Sequence, residues 1–369
     1  MKILQIAPLW ESVPPPAYGG TEAVVHSLVE ELVRQGHEVT LWASGDSRTS
    51  AHLESCFPTS LRTTDGLEFK NVYSWQHAAL SLKNAGEYDI IHNHNGEETM
   101  ALSHLVPHVP MLTTMHCLIT PDTQFIWDRY EGFFNCISWS QRKLMRPVAE
   151  GTFAGIVYNG IDVFSFPFQK EKDGHLLFLA RMSPEKGPKL AIEVARAAGR
   201  RLVMAGKVDD VDRAYYERAV KPLIDGDQTV FVGEADAQTK RDLFRNASCV
   251  IMPIGWDEPF GLVMAEALAC GTPVIVFNRG AASEIVKHGE TGFVVENIGE
   301  MIQAIDQLHT VDPYYCRRDV AERFDASVMA RRYLEMYSSI LAQTHVTPLV
   351  PLPSNGKRET AELSPTHAA

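Results

Sequence analysis

Glu258-Pro-Phe-Gly-Leu-Val-Met-Ala-Glu266, continuing as Ala-Leu-Ala-Cys-Gly-Thr-Pro273, is where the chemistry of the chain is concentrated. It follows a short apolar strand ending at Pro253, opens a helix after Phe260, and closes at Gly271 and Pro273. A helix that begins just beyond a buried strand directs its unpaired amides, here those of Gly261, Leu262 and Val263, into the cleft at a sheet edge. Such amides attract anions. Glu258 stands in the loop before them, and Glu266 lies eight positions on, inside the helix. A carboxylate beside an anion site suits a ligand that carries both phosphates and hydroxyls, as a nucleotide sugar does. Spacing alone carries little weight, because Glu22 and Glu30, and Glu185 and Glu193, share it in contexts that read as solvated helix faces.

Outward from this stretch, strands alternate with helices. Strands are expected over His175–Leu179, Leu202–Ala205, Val230–Val232, Pro273–Phe277 and Gly292–Val295, with helices over Pro184–Ala198, Tyr215–Ile224 and Gln238–Asn246 among them. The first half shows the same alternation: strands at Lys2–Ala7, Glu38–Ala43, Asp89–His92, Met111–Met115, Asn135–Trp139 and Gly155–Tyr158, and an amphipathic helix over Ala23–Gln35. Strand–helix–strand units of this length imply parallel pairing with right-handed crossovers, and hence doubly wound sheets. Asn159-Gly160-Ile161-Asp162 breaks the pattern. The expected organisation is an α/β chain with a Rossmann-like domain over 1–163 and a second over 164–326. A last helix over 327–343 carries the stripe Met329, Tyr333, Met336, Tyr337 and Ile340, and a Pro- and Ser-rich tail over 344–369 reads as disordered.

Composition narrows the partners. The chain has 369 residues, 45% of them apolar, and a formal net charge of −12, which speaks against nucleic acid. Residues 1–165 hold ten Lys and Arg against eighteen Asp and Glu, the wrong sign for docking on anionic lipid through that half. No apolar run reaches the roughly 18 residues of a spanning helix, so there is no strong membrane signal. Six scattered cysteines without a Cys-x-x-Cys pair read as mostly buried thiols in a reducing compartment, and the chain is expected to be cytoplasmic. Nothing in the sequence indicates an oligomeric state.

Several residues carry chemistry, each with a plainer alternative. Arg181 and Lys186 fall in a strand-to-helix turn, where two cations would neutralise a diphosphate; a solvated basic turn is the alternative. Gly19-Gly20 before Glu22 would let backbone approach a phosphate or a sugar ring, or form a plain turn with Thr21 as cap. The pair lacks the G-x-G-x-x-G pattern of dinucleotide sites. His116 ends an apolar strand and reads either as a site residue or as a hydrogen-bonded structural histidine. His92-x-His94 resembles a metal pair, but no third ligand accompanies it, so no metal is expected.

Four pieces now stand together: Tyr18-Gly-Gly-Thr-Glu22, Thr113-Thr-Met-His116, Leu179-Ala-Arg-Met-Ser-Pro-Glu-Lys-Gly187, and Glu258 to Glu266. In this order and at these distances they resemble the retaining glycosyltransferases of family 4, whose two facing Rossmann-like domains form the GT-B fold. The resemblance covers roughly Met1 to Ala342, with Ala180 a mild departure where Gly is commoner. It implies transfer of a sugar from a nucleoside-diphosphate sugar to an acceptor hydroxyl, with no cofactor or metal. The alternatives are a nucleotide-sugar epimerase on the same fold and a binding protein without catalysis.

The resemblance also assigns roles. Gly19 and Gly20 would face the donor from the first domain, and His116 would bond a hydroxyl of the donor sugar. Arg181 and Lys186 would hold the diphosphate, and Glu258 the hydroxyls of the transferred sugar. Glu266 would reach the ribose, with Phe260, Gly261, Leu262 and Val263 completing the donor site. The base would lie near Gly206, Gly233 and Glu234, largely against backbone, which separates uridine, guanosine and adenosine poorly; uridine is favoured. Tyr18, His92, His94 and Asn95 would face the acceptor. So would the loops 10–17 and 117–134, with Trp127, Tyr130 and Phe133.

Overall fold

The computed structural model describes residues 1–17 and 19–346. Tyr18, placed above on the acceptor side, and the tail from residue 347 onward lie outside the described residues. Among the described residues thirteen strands fall into two sheets. The first contains β1 (Lys2–Ile6), β2 (Glu38–Trp42), β3 (His52–Glu54), β4 (Ile90–Asn93), β5 (Met111–Met115), β6 (Phe133–Cys136) and β7 (Thr152–Ile156). The second contains β8 (Leu176–Leu179), β9 (Leu202–Ala205), β10 (Thr229–Phe231), β11 (Cys249–Met252), β12 (Val274–Phe277) and β13 (Gly292–Val295). Every pairing is parallel, in the orders β3-β2-β1-β4-β5-β6-β7 and β10-β9-β8-β11-β12-β13.

Those orders fix where a ligand can bind. The direction of winding reverses between β1 and β4 in one sheet and between β8 and β11 in the other. At such a point the connections leave on opposite faces and open a crevice at the carboxyl ends of the strands. The loops after β1, β8 and β11 carry Gly19-Gly20, Arg181 with Lys186, and Glu258. The chemistry-bearing residues therefore sit at the two switch points.

Several elements depart from the sequence reading, for local reasons. The strand expected over Asn135–Trp139 ends at Cys136, because the Ser138 hydroxyl accepts the Gln141 amide at 2.9 Å and caps a helix, Trp139–Leu144. The helix expected over Pro184–Ala198 is interrupted. Gly187, at φ 74°, ends a short turn and Pro188 starts the helix proper, Pro188–Ala197. The segment Tyr216–Val220 is a π-helical turn, and Pro222 just beyond it supplies no amide to continue an α-helix. The cysteines are all free thiols: Cys117 is exposed, Cys56 half-buried and the other four buried.

The long last helix, Ala326–Val346, packs on the Gly20–Arg34 helix and β7 of the first sheet. Met329, Ala330, Tyr333, Met336, Tyr337 and Ile340 are buried there in one cluster with Ile3, Leu28 and Val157. The two segments that pass between the halves run side by side: the Ile161 amide bonds the Phe324 carbonyl at 2.9 Å, and the Ala326 amide bonds Ile161 at 2.8 Å.

Candidate active site

Between the carboxyl ends of the two sheets lies a cavity of about 1160 Å³ whose walls come from both halves of the chain. Two helix starts meet across it. The Leu262–Ala269 helix begins at Gly261, and the Gly20–Arg34 helix begins at Gly19. A Cβ on Gly20 would sit 3.5 Å from the Leu262 side chain, so the two starts are in contact range. The first amides of each helix have no acceptor within it, so both present donors to the same space. Gly19 and Gly261 hold positive φ, 147° and 88°. A side chain at Gly19 would run into Pro15, and one at Gly261 into Met264 and Glu258. Both turns therefore require glycine.

The charged residues are paired with one another. Lys186 Nζ donates to Glu258 Oε2 at 2.5 Å and lies 4.5 Å from the centre of the Trp256 ring. Trp256 Nε1 donates to the same Glu258 oxygen at 3.1 Å. Arg181 also lines the cavity, but sits among the carboxylates of Glu185, Asp209 and Asp212, with Nη1–Asp209 at 3.6 Å and Nε–Asp212 at 3.5 Å. A phosphate at Arg181 would have to compete with these anions, whereas one at Lys186 competes with Glu258 alone. Glu266 is buried and accepts from Lys240 Nζ at 2.6 Å. Glu234 is held across the cleft by Arg62, whose Nη2 reaches its two oxygens at 2.9 and 3.1 Å, while Nη1 holds Glu11 at 2.6 Å. This links the halves at the end of the cavity assigned above to the base.

Phe260, Leu262, Val263, Gly206 and His116 line the cavity as well. Gly233 is not in its wall; its carbonyl accepts the Gly206 amide at 2.8 Å and ties the ends of β9 and β10 together. The acceptor-side expectation needs correction. His92 and His94 are buried inside the first sheet, behind His116 and not in the cavity wall. Asn95, also buried, spends its side-chain amide on Thr99 at 3.1 Å. Trp127 and Tyr130 are core side chains, with Trp127 Nε1 on Glu97, and Phe133 packs against buried residues. Of the two loops, only the first reaches the cavity, through Trp10, Glu11, Pro14, Pro15 and Ala17.

Sequence reasoning missed Lys240 and Arg241, both on the helix Ala237–Asn246, and Trp256 and Arg62, which come from two separate loops. Only Trp256, two residues before Glu258, left a local signal. Glu22 was read as part of a solvated face, yet it is buried and lines the cavity near Gly19. Desolvation raises its pKa from 4.5 to about 7. Between pH 4.5 and 7 the unfolded chain releases this proton while the folded chain keeps it, so stability falls as pH rises across that window. Glu22→Gln, which cannot ionise, is expected to melt like the parent below pH 4.5. Above pH 7 it is expected to be more stable, by on the order of 3 kcal/mol in thermal unfolding.

Burial depresses the pKa values of His92, His94 and His116, the last to about 4, so these three imidazoles are neutral near pH 7. Among the described residues, no group of three or more His, Cys, Asp or Glu has a geometry that could hold a metal ion. No helix among them is long and apolar enough to cross a membrane.

Two parallel doubly wound sheets facing across a cleft, with their switch points opposed, define a GT-B fold. Comparison with known proteins agrees. Residues 18–163 match the family model described as Glycosyltransferase Family 4, and residues 162–316 match Glycosyl transferases group 1. An uncharacterised glycosyltransferase of Methanocaldococcus jannaschii is 23% identical over 91% of this chain and 98% of its own length. The glycogen synthase of Mycobacterium tuberculosis is 26% identical over 79% of this chain and 81% of its own. Among solved structures, the AviGT4 glycosyltransferase of avilamycin A biosynthesis superposes with a TM-score of 0.73 at 25% identity, covering 93% of this chain and 98% of that one. The two family models run consecutively through residues 18–316, and the chain belongs to the family 4 glycosyltransferases.

Proposed function

We propose that the protein is a hexosyltransferase that moves a sugar from a nucleoside-diphosphate sugar, a UDP-sugar in the first instance, to an acceptor hydroxyl with retention of anomeric configuration. The observation that carries this reading is the meeting of two helix starts, at Gly20 and Leu262, beside the Lys186–Glu258 pair. Amides and an ammonium group converging on one space suit the diphosphate, whose charge grows as the sugar departs. Glu258 would exchange Lys186 for sugar hydroxyls when the phosphates bind. Same-face transfer is supported by the state of the carboxylates: Glu258 and Glu266 are each held by a lysine, which suits neither the nucleophile of a double displacement nor the general base that inversion needs. The leaving phosphate then takes the acceptor's proton. Since lysine and helix amides supply the positive charge, turnover is expected to be unchanged by EDTA.

Melting the protein with UDP-, GDP- and ADP-sugars tests the donor. A ligand at a hundred times its Kd adds about 2.7 kcal/mol to stability and should raise the melting temperature by a few degrees. One nucleotide series is expected to stand out. No shift with any of them would remove the reading. Acceptor-dependent release of free nucleoside diphosphate separates transfer from epimerisation.

A further inference from the structure

Behind His116 a line of polar side chains crosses the first sheet, one from each of four neighbouring strands: Gln5 on β1, His92 on β4, Thr114 on β5 and Asn135 on β6. Gln5 pairs with His92, and Thr114 with Asn135, in the sheet register. All four are buried, and Tyr333 and Tyr337 of the last helix, also buried, cover them. A buried polar network of this kind has only a few self-consistent arrangements of its protons.

One backbone carbonyl selects among them. Asn135 Nδ2 donates to the Cys136 carbonyl, 3.3 Å, and to the Tyr333 hydroxyl, 3.3 Å, which turns Oδ1 toward Thr114. The Thr114 hydroxyl donates to that oxygen at 2.8 Å, so it can only accept from His92 Nε2 at 2.6 Å. His92 therefore carries its proton on Nε2, and its Nδ1 accepts from the Tyr337 hydroxyl at 2.6 Å. Tyr337, having donated, accepts from Gln5 Nε2 at 3.1 Å. That leaves Gln5 Oε1 to accept from His94 Nε2 at 2.9 Å. His94 Nδ1 is then bare and can only accept, at 2.9 Å, from His116 Nε2. Reversing the chain would turn the Asn135 oxygen onto the Cys136 carbonyl oxygen.

We propose that Gln5, His94 and Tyr337 are positioning residues. Together they hold His116 as the neutral Nε2–H tautomer, so that its Nδ1 is fixed as an acceptor for a hydroxyl of the transferred sugar. The role given to the sugar rests on the function proposed above; the tautomer does not. His116 lines the cavity, and its Nδ1 has no partner among the described residues. The last helix thus acts on the site at a distance, through a hydrogen-bond direction.

Long-range 1H–15N spectra of the full chain labelled at histidine read the tautomers directly, with His116→Asn identifying the resonances. The expected result near pH 7 is a single Nε2–H form of His116; an Nδ1–H form or a cation would overturn the proposal. Tyr337→Phe keeps the ring but removes the hydroxyl that orients Gln5. It is expected to give mixed His116 tautomers and to lower kcat for UDP-glucose hydrolysis about tenfold, with KM within twofold. Tyr333→Phe is the matched control. Its hydroxyl also touches the network, but Asn135 stays anchored on Cys136 without it, so the single tautomer and kcat are expected to persist. If Tyr337→Phe keeps both the single tautomer and kcat, or Tyr333→Phe loses as much, the positioning role is wrong. If the parent neither binds nor hydrolyses UDP-glucose, that failure falls on the proposed donor, and the spectra still decide the tautomer.

Discussion

Lys186→Ala is expected to lower donor turnover by about 10²–10³-fold, roughly 3–4 kcal/mol of transition-state stabilisation. Lys186 lines the same cavity as the two helix starts, and its ion pair among the described residues is with Glu258 alone. Its ammonium also rests on the Trp256 face, which holds it in place before any ligand arrives. Removing it takes away positive charge where the diphosphate gains negative charge, and leaves Glu258 unpaired beside the same phosphates. The loss should fall mainly on kcat. Arg181→Ala should cost less, because Glu185, Asp209 and Asp212 already surround that guanidinium. A Lys186→Ala protein with parental turnover would show that the phosphates bind elsewhere.

Ending the chain before Ser327 is expected to abolish cooperative folding. Met329, Tyr333, Met336, Tyr337 and Ile340 are buried against the first sheet and its Gly20–Arg34 helix. At about 1.5–3 kcal/mol for each large buried side chain, the apolar loss alone is on the order of 10 kcal/mol. That matches the whole stability of a typical domain. The damage goes further, since Gln5, His92 and Thr114 would lose the tyrosine hydroxyls that satisfy them inside the sheet. Thermal melting with near-UV circular dichroism should show no sharp transition. A truncated protein melting near the parent would mean that the helix is an accessory.

The alternation of strands and helices was legible because parallel strands buried on both faces read as continuous apolar runs. β11, Cys249–Met252, is such a run, fully buried. Gly261 and Gly19 were legible for another reason: the turns that open both helices exclude a Cβ, so the sequence has to mark them. What could not be read is what depends on contacts between distant segments. Lys240 reaches Glu266 from another helix, and Arg62 reaches Glu234 from the other half of the chain. Nothing local to either residue marks these pairings. His92 and His94 misled for a related reason. A histidine pair at the end of a strand looks like a site, and only the tyrosines more than two hundred residues away show it to be interior support. Trp127 and Tyr130 misled in the same way, since aromatic residues in a loop read as a binding surface until their burial is seen.

A crystal structure of the protein with UDP would show the phosphate site itself. The diphosphate is expected between Gly19-Gly20 and the amides of Gly261, Leu262 and Val263, with Lys186 turned from Glu258 onto a phosphate oxygen at about 3 Å. Electron density for UDP outside this cleft, or a diphosphate in it with the Lys186–Glu258 pair unbroken and the amides unused, would contradict this placement.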